Sequence, residues 1–180
     1  MRNARSSTSQ SWSSIASASS KAERPRQQPA GGGTHLDDIT ATVRRLADLE
    51  AIRDLARRYA HHVWQREPLE AVALFARDGV MDLGADGRIE GIERLRAVYG
   101  EKVAGDTLLQ PYVHNHVITL DGNRASGVCY LDLRCRRDGQ SLIGAGFYED
   151  RYVREDGVWK FALRRLELCY LVPAGAEWPT

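Results

Sequence analysis

The chain contains 180 residues, of which 43% are hydrophobic, and it carries a formal net charge of +1 at pH 7. That length suits one domain with a buried core and is too short for two ordinary domains. No apolar run approaches the roughly 18 residues that span a bilayer. The part after the N-terminal tail is slightly acidic with scattered basic residues, which is not typical of nucleic-acid-binding proteins.

Residues 1–35 are predicted to be a disordered tail rich in Ser, Pro and Gly. Nine of the first twenty residues are Ser, and residues 1–36 contain five Lys or Arg against one Glu. Such a stretch cannot bury enough apolar surface to offset its chain entropy. Its composition also resembles an organelle transit peptide, but we interpret it as an extension without function. The domain is then expected over residues 36–172, with a C-terminal tail over residues 173–180.

The first helix is predicted from about residue 36 to residue 65. Its apolar residues recur every three or four positions and form one buried face: Leu46, Leu49, Ile52, Ala56, Tyr59 and Val63. Pro68 suits the first turn of a second helix that carries Val72 and Ala76. A strand over residues 80–83 and a short one over residues 88–90 follow. A third helix should place Ile92 and Leu95 inward, together with Tyr99.

The second half of the chain has the pattern of an antiparallel meander. Asp-Gly pairs at residues 121–122, 138–139 and 156–157 separate runs of alternating polar and apolar residues. Asp-Gly between such runs is the strongest short-range hairpin signal, because a type I′ turn needs positive φ at both central residues. Four strands are therefore predicted over residues 108–120, 123–137, 140–154 and 158–171.

The predicted order, α-α-β-β-α-β-β-β-β, indicates an α+β fold. A sheet with strands this long must twist and coil, and the helices must cover one of its faces. We therefore expect a cone, in which three helices pack on a strongly curved, mainly antiparallel sheet of about six strands. The open end of such a cone is a natural small-molecule pocket.

Six short motifs occur in order along the chain. They are residues 49–60 (LEAI through RYA), 74–80 (LFARDGV), 88–91 (RIEG), 116–118 (HVI, before Asp-Gly), 148–152 (YEDRY) and 156–160 (DGVWK). With the predicted elements, they make residues 38–172 resemble the SnoaL-like branch of the NTF2-like, cone-shaped superfamily. That family hosts isomerases, cyclases, dehydratases, epoxide hydrolases and non-catalytic members, so chemistry must be argued from the site.

Tyr59 is the first candidate catalytic residue. It continues the apolar face of the first helix, so its ring should point inward while its hydroxyl needs a partner. A phenol in a dry pocket can donate a hydrogen bond to a developing oxyanion. The resemblance implies this role, because ketosteroid isomerases and bile-acid 7α-dehydratases carry a pocket tyrosine at the matching place. The alternative is a core tyrosine whose hydroxyl meets a backbone carbonyl.

Asp82 and His114 are the candidates for proton transfer. An inward Asp82 between apolar residues could act as a general base, as the resemblance to ketosteroid isomerases implies. Alternation also allows Asp82 to face outward, with Met81 and Leu83 packed inside. His114 falls where the resemblance to bile-acid dehydratases implies a catalytic histidine, and imidazole suits acid–base chemistry near neutral pH.

Strand alternation predicts that His114 and His116 share one face with Tyr112 and Ile118. His114 and His116 then belong either to the pocket, where His116 would contact substrate, or to a subunit interface. The pair could also chelate a metal, but zinc needs a third protein ligand that the spacing does not supply. We therefore expect neither a metal nor a cofactor, and no nucleotide-binding fingerprint occurs in the sequence.

His62 and Trp64 are further candidates for substrate binding. His62 lies one turn after Tyr59 and is expected at the pocket mouth, and Trp64 either forms an apolar pocket wall or belongs to the core. The resemblance is incomplete here. Trp64 stands where scytalone and bile-acid dehydratases carry an Asp, and Gly146 stands near the place of the second carboxylate of ketosteroid isomerases.

Arg165 is the last substrate-binding candidate. If it faces inward, it would form a buried ion pair with Glu167 or Asp82, an arrangement that is rare without function. An outward Arg165 at an oligomer interface is the alternative.

We predict first a cofactor-free enzyme, namely a dehydratase, isomerase or cyclase that acts on a hydrophobic cyclic molecule. Tyr59 would polarise the substrate, and His114 or Asp82 would move the proton. The alternative is a non-catalytic small-molecule-binding or assembly protein of the same fold. Three cysteines without a CxxC pair indicate reduced thiols in a cytoplasmic protein. The partly apolar outer face of the sheet predicts a homodimer or homotrimer.

Overall fold

The computed structural model describes residues 35–103 and 107–179. The tail predicted over residues 1–35 therefore lies outside the described residues, apart from His35, which begins the first helix. The elements in chain order are α1 (His35–Gln65), α2 (Pro68–Ala73), β1 (Phe75–Asp82), a 3₁₀ turn (Gly84–Asp86), β2 (Arg88–Glu90), α3 (Ile92–Lys102), β3 (Leu108–Asp121), β4 (Arg124–Arg137), β5 (Gln140–Glu155) and β6 (Val158–Pro173). In these described ranges, no helix combines the length and apolarity needed to cross a bilayer.

The strands form one mixed sheet in the order β2-β1-β6-β5-β4-β3. All neighbours are antiparallel except β1 and β6, which run parallel. The predicted α+β class, with three helices on a six-stranded, mainly antiparallel sheet, is confirmed. β1 begins at Phe75, earlier than predicted, because Phe75 already pairs with Phe161 of β6 and their rings lie 5.2 Å apart.

Two of the three predicted hairpin turns have the expected backbone. Both central residues have positive φ at Asp138-Gly139 and at Asp156-Gly157, as a type I′ turn requires. In the first hairpin Asp121 pairs with Arg124, so the central residues are Gly122 and Asn123, and of these Gly122 has positive φ. The turn there is one residue later than predicted, because glycine at the first central position suits the type II′ geometry.

The core lies between the helices and the inner face of the sheet. α1 buries Ile52, Ala56, Tyr59 and Val63, as its periodicity predicts. Leu46, predicted on the same face, is 58% exposed, because this part of α1 lies before the helix meets the sheet core. The three cysteines differ in burial: Cys129 and Cys135 are buried thiols, whereas Cys169 is exposed.

Bulges in β3 and β6 interrupt the alternation of these two strands. In β3, His114 pairs with Tyr130 and His116 with Cys129, so Asn115 is an extra residue, and its φ is +45°. In β6, Ala162 and Cys169 are left without a paired residue on β5. Each bulge moves the following side chains to the other face of the sheet. The faces of β4, which has no shift, are those that alternation predicts.

Candidate functional site

A cavity of about 110 Å³ lies inside the curved sheet, and α1, α3 and all six strands or their ends contribute to its walls. Its lining is largely apolar. The lining residues are Tyr59, Val63, Met81, Leu83, Ile89, Val98, Tyr99, Lys102, Val103, Leu109, Pro111, Leu133, Tyr148 and Leu166. Lys102 is exposed at the end of α3 and is the only lining residue with a charged side chain in the part of the chain that the structure describes. The cavity therefore suits a small apolar molecule.

Three tyrosines, Tyr59, Tyr99 and Tyr148, line this cavity, and two of them form a hydrogen-bonded pair. Tyr59 of α1 and Tyr99 of α3 are both buried, and their hydroxyl oxygens lie 2.9 Å apart. Burial raises the pKa of both phenols above the ordinary value, so both are protonated at neutral pH. Of their two protons, one lies between the oxygens. The other has no protein acceptor among the described residues, so it is available to a carbonyl or hydroxyl oxygen of a ligand.

Arg164 lies behind Tyr59 in the core and is completely buried. Its guanidinium carbon lies 3.7 Å from the ring centroid of Tyr148, 4.4 Å from that of Phe161 and 4.5 Å from that of Tyr59. Its Nη2 donates to Oδ2 of buried Asp150 at 3.2 Å. Within the described ranges, Nε and Nη1 of Arg164 and Oδ1 of Asp150 have no hydrogen-bond partner. Arg164 thus places a positive charge against the ring of Tyr59, which lines the cavity.

A chain of hydrogen bonds extends from Asp150 toward the edge of the sheet. The Tyr152 hydroxyl donates to Asp150 Oδ2 at 2.8 Å, and His116 Nε2 lies 2.9 Å from the Tyr152 oxygen. The Tyr152 hydroxyl donates its only proton to Asp150, so it can only accept a hydrogen bond from His116. Nε2 of His116 must therefore carry a proton and donate it to the Tyr152 oxygen. Nδ1 of the neutral imidazole is then the free acceptor.

The ionisable members of this chain have shifted pKa values. Burial raises the pKa of Asp150 to about 6, although Arg164 and Tyr152 favour its charged form. Burial, helped by Arg164, lowers the pKa of His116 to about 4. His116 is therefore neutral at pH 7 and a weak base. It lines a separate, more polar opening of about 260 Å³ beside Arg53 and Arg57, not the apolar cavity.

The structure places Tyr59 at the cavity but removes Asp82 from it. Met81 is buried and Leu83 lines the cavity, so Asp82 takes the outward position of the alternation. Its Oδ1 accepts a hydrogen bond from the Gly84 amide at 3.0 Å, and its Oδ2 lies 3.5 Å from Nη1 of Arg88. Asp82 therefore stabilises the turn after β1, and the inward placement that would make it a general base is wrong.

His114 also lies off the cavity. The bulge at Asn115 separates the two histidines that alternation placed on one face. His114 stays on the outer face, where its ring stacks on Tyr130 and its Nε2 lies 3.6 Å from Asp132 Oδ2. His116 turns inward to Tyr152. The shared face predicted for the two histidines is wrong.

Trp64 and His62 belong to the helix end and not to the cavity wall. Trp64 Nε1 donates to the Pro111 carbonyl at 2.8 Å, and its ring meets Tyr112 edge-on, so it fastens α1 to β3. His62 Nδ1 lies 2.7 Å from Glu67 Oε2 in the turn after α1. Neither residue lines the cavity.

Arg165 is exposed and forms ion pairs with Glu167 and Glu149 on the outer face. The buried ion pair predicted for it is formed instead by its neighbour Arg164 with Asp150. The bulge at Ala162 is the cause, because it moves the inward position from residue 165 to residue 164.

Sequence reasoning did not select Tyr99, Arg164 or Asp150 for the site. The periodicity of α3 places Tyr99 inward, so the sequence did indicate a second inward phenol. Asp150 alternates with Tyr148 and Tyr152 along β5, which also marks it as inward. Arg164 left no such signal, because the bulge that buries it is not visible in the pattern.

Comparison with known proteins agrees with this architecture. The sequence matches the SnoaL-like domain family over residues 44–165. No curated protein matches the chain. Among solved structures, the hexachlorocyclohexane dehydrochlorinase LinA-type3 of Novosphingobium barchaimii LL02 is 24% identical, with 77% of this chain and 99% of that one covered and a TM-score of 0.66.

Two further solved structures share the fold. A protein provisionally assigned as a scytalone dehydratase, from Novosphingobium aromaticivorans, is 21% identical, with 76% of this chain and 93% of that one covered and a TM-score of 0.67. An NTF2-like protein with a cystatin-like fold from Novosphingobium aromaticivorans is 18% identical, with 77% and 92% covered and a TM-score of 0.63. The family match spans more than half of the sequence, and the chain belongs to the SnoaL-like domain family of NTF2-like folds.

Proposed function

We propose that the protein binds a small, largely apolar cyclic molecule with one oxygen acceptor in the cavity between α1, α3 and the sheet. The observation that carries the proposal is the hydrogen-bonded pair of buried phenols, Tyr59 and Tyr99, in a largely apolar lining. The spare phenol proton would bind the ligand oxygen, and the apolar walls would bind the ring. The cavity of about 110 Å³ is smaller than an apolar cavity of about 150 Å³ that holds benzene, so it limits the ligand to no more than about one ring.

A second candidate is catalysis of the lyase or isomerase type. Two similar structures are named for action on ring compounds, hexachlorocyclohexane and scytalone. In this chain, Tyr59 would polarise a carbonyl, and the charge of Arg164 against its ring would strengthen the phenol as a donor. No carboxylate or imidazole lines the cavity in the described ranges, and Lys102 at its mouth is a cation with no lone pair to accept a proton, so the lining supplies no general base for this reaction. The binding function requires fewer groups and is our first proposal.

Titration with cyclohexanone and with methylcyclohexane tests the binding proposal. We expect both to bind the wild-type protein. Tyr59→Phe should weaken cyclohexanone binding about five- to tenfold, which corresponds to about 1 kcal/mol for one hydrogen bond, and leave methylcyclohexane binding unchanged. Tyr130→Phe on the outer face is the matched control and should change neither. Equal affinity of cyclohexanone for wild type and Tyr59→Phe, or no binding of either probe, would refute the proposal.

The same complexes distinguish a binder from an enzyme. In D₂O, exchange of the α-protons of cyclohexanone, followed by NMR, reports proton abstraction next to a polarised carbonyl. Faster exchange with wild type that is lost in Tyr59→Phe would support catalysis. Binding without accelerated exchange would establish the non-catalytic function for this probe.

A further inference from the structure

The turn between α1 and α2 brings three potential metal ligands together, outside the cavity. Arg66 has a positive φ of 60° and ends α1 in a Schellman motif. The Glu67 amide donates to the His62 carbonyl at 2.9 Å, and the Arg66 amide donates to the Val63 carbonyl at 3.2 Å. The backbone thereby folds back, and Glu67 is held beside the last turn of the helix.

This turn places a carboxylate next to two adjacent imidazoles. Glu67 Oε2 lies 2.7 Å from His62 Nδ1, and the rings of His61 and His62 lie 5.3 Å apart at an angle of 68°. One ligand atom from each of His61, His62 and Glu67 lies within 4.8 Å of the other two. Ligands in a tetrahedral zinc site are separated by about 3.3 Å, given metal–ligand distances of about 2.0–2.1 Å. The distance between His62 and Glu67 is shorter than that value, and no pair of the three ligand atoms is more than 4.8 Å apart.

We propose that His61, His62 and Glu67 bind a Zn²⁺ ion and that water completes its coordination. Two imidazoles and one carboxylate form a donor set that Zn²⁺ accepts in proteins, whereas Mg²⁺ and Ca²⁺ prefer oxygen ligands alone. His61 is exposed, so its ring can move toward the other two ligands at little cost. The ion would replace the hydrogen bond between His62 and Glu67 and would fasten the end of α1 to the start of α2.

Calorimetric titration of the full untagged chain with ZnCl₂ at pH 7.5 tests the proposal. We expect one ion per chain with a micromolar dissociation constant. Binding should weaken toward pH 5.5, because the ion must displace protons from the imidazoles. Titration with Co²⁺ should give the visible absorption of a four-coordinate ion, a readout that a nonspecific surface contact would not produce.

Single-residue variants test whether Zn²⁺ binds at this site or at other potential ligands of the chain. His61→Ala and Glu67→Gln should each weaken Zn²⁺ binding at least tenfold, and both leave the backbone bonds of the turn in place. His114→Ala is the matched control, because His114 is also an exposed histidine beside a carboxylate, Asp132, but has no second imidazole. Cys169→Ser tests the exposed thiol. Binding that survives His61→Ala, binding lost in either control, or a dissociation constant above about 100 µM in wild type would overturn the proposal.

Discussion

Arg164 and Arg165 are neighbours in β6 with opposite surroundings. Arg164 is completely buried among Tyr59, Tyr148 and Phe161 and pairs with Asp150, whereas Arg165 is exposed on the outer face. A buried charge contributes to stability only while its partner compensates it, and an exposed pair is worth little. The two arginines therefore offer a comparison in which chemistry and position in sequence are nearly constant.

We predict that Arg164→Met lowers the free energy of unfolding by about 3–5 kcal/mol, because Asp150 is left buried without a cation. Arg165→Met should lower it by less than about 1 kcal/mol. Urea denaturation followed by circular dichroism measures both changes. A similar loss in the two variants would show that the Arg164–Asp150 pair does not carry the stability that its burial implies.

The pH dependence of the Arg164→Met defect gives a second readout of the same prediction. Burial already raises the pKa of Asp150 to about 6, above the ordinary 3.8, so protonation of this group favours the folded state. Removal of Arg164 takes away an interaction that favours the charged form, and the pKa must rise further. The defect should therefore be larger at pH 8 than at pH 5. A defect that is constant across this range would contradict the assignment to Asp150.

At the scale of the strands, alternation predicted the sheet faces correctly wherever pairing is regular. Cys129, Leu131 and Leu133 face inward along β4 as expected, and Tyr148, Asp150 and Tyr152 do so along β5. The helical periodicity likewise placed Tyr59 and Tyr99 at the cavity. The element order, the class and most boundaries followed from hydrophobic periodicity and Asp-Gly turns, because these signals are local.

The errors that concern strand residues of the candidate site lie after a bulge or at an ambiguous strand end. His114 and His116 separate at Asn115, and Arg164 replaces Arg165 after Ala162. A bulge depends on the partner strand and on the curvature of the whole sheet, so a single strand's pattern does not encode it. Asp82 is the last residue of β1, and the sequence was compatible with either an inward or an outward side chain at this position. Tertiary structure therefore decided the chemistry of the site.

Gly146 shows how one bulge depends on a missing side chain. It lies on β5 opposite the extra residue Cys169, and a Cβ added there would lie 2.1 Å from the backbone oxygen of Glu167. Gly146→Ala should lower the free energy of unfolding by about 1–3 kcal/mol, because the backbone of β6 must move. Gly100→Ala in α3 is the control, since no atom lies within 4 Å of its added Cβ.

Helix propensity predicts that Gly100→Ala instead stabilises the protein by up to about 1 kcal/mol. Thermal unfolding of both variants by calorimetry compares the two glycines. An unchanged midpoint for Gly146→Ala would mean that β6 accommodates the methyl group and that the close approach of the strands is not obligatory.

At the scale of the domain, two exposed apolar surfaces are available for association. Tyr112, Val117 and Tyr130 lie on the outer face of the sheet, and a stripe along the first part of α1 contains Leu36, Ile39, Val43 and Leu46. Patches of this kind on a globular domain commonly contact a partner. The outer face of the sheet is the interface that we propose for a second or third copy of the chain.

Native mass spectrometry at low micromolar concentration should give the mass of a homodimer or homotrimer. Val117→Glu places a charge on the sheet face and should shift the protein to monomer, whereas Val43→Glu on the α1 stripe should leave the mass unchanged. A monomeric wild-type protein would exclude the proposed association. Dissociation by Val43→Glu alone would assign the interface to α1.

The position of β6 in the sheet has a consequence for the order in which the protein can be built. Among the strands of the described residues, β6 is synthesised after the other five, yet it lies between β1 and β5 and joins the β1–β2 pair to the β3–β4–β5 meander. A nascent chain that lacks β6 therefore contains two separate ribbons with an unpaired edge on each. Both edges are open to pairing with other chains. The cavity, the Arg164–Asp150 pair and the six-stranded sheet can form only after synthesis reaches this strand, so the incomplete chain exposes strand edges to aggregation until then.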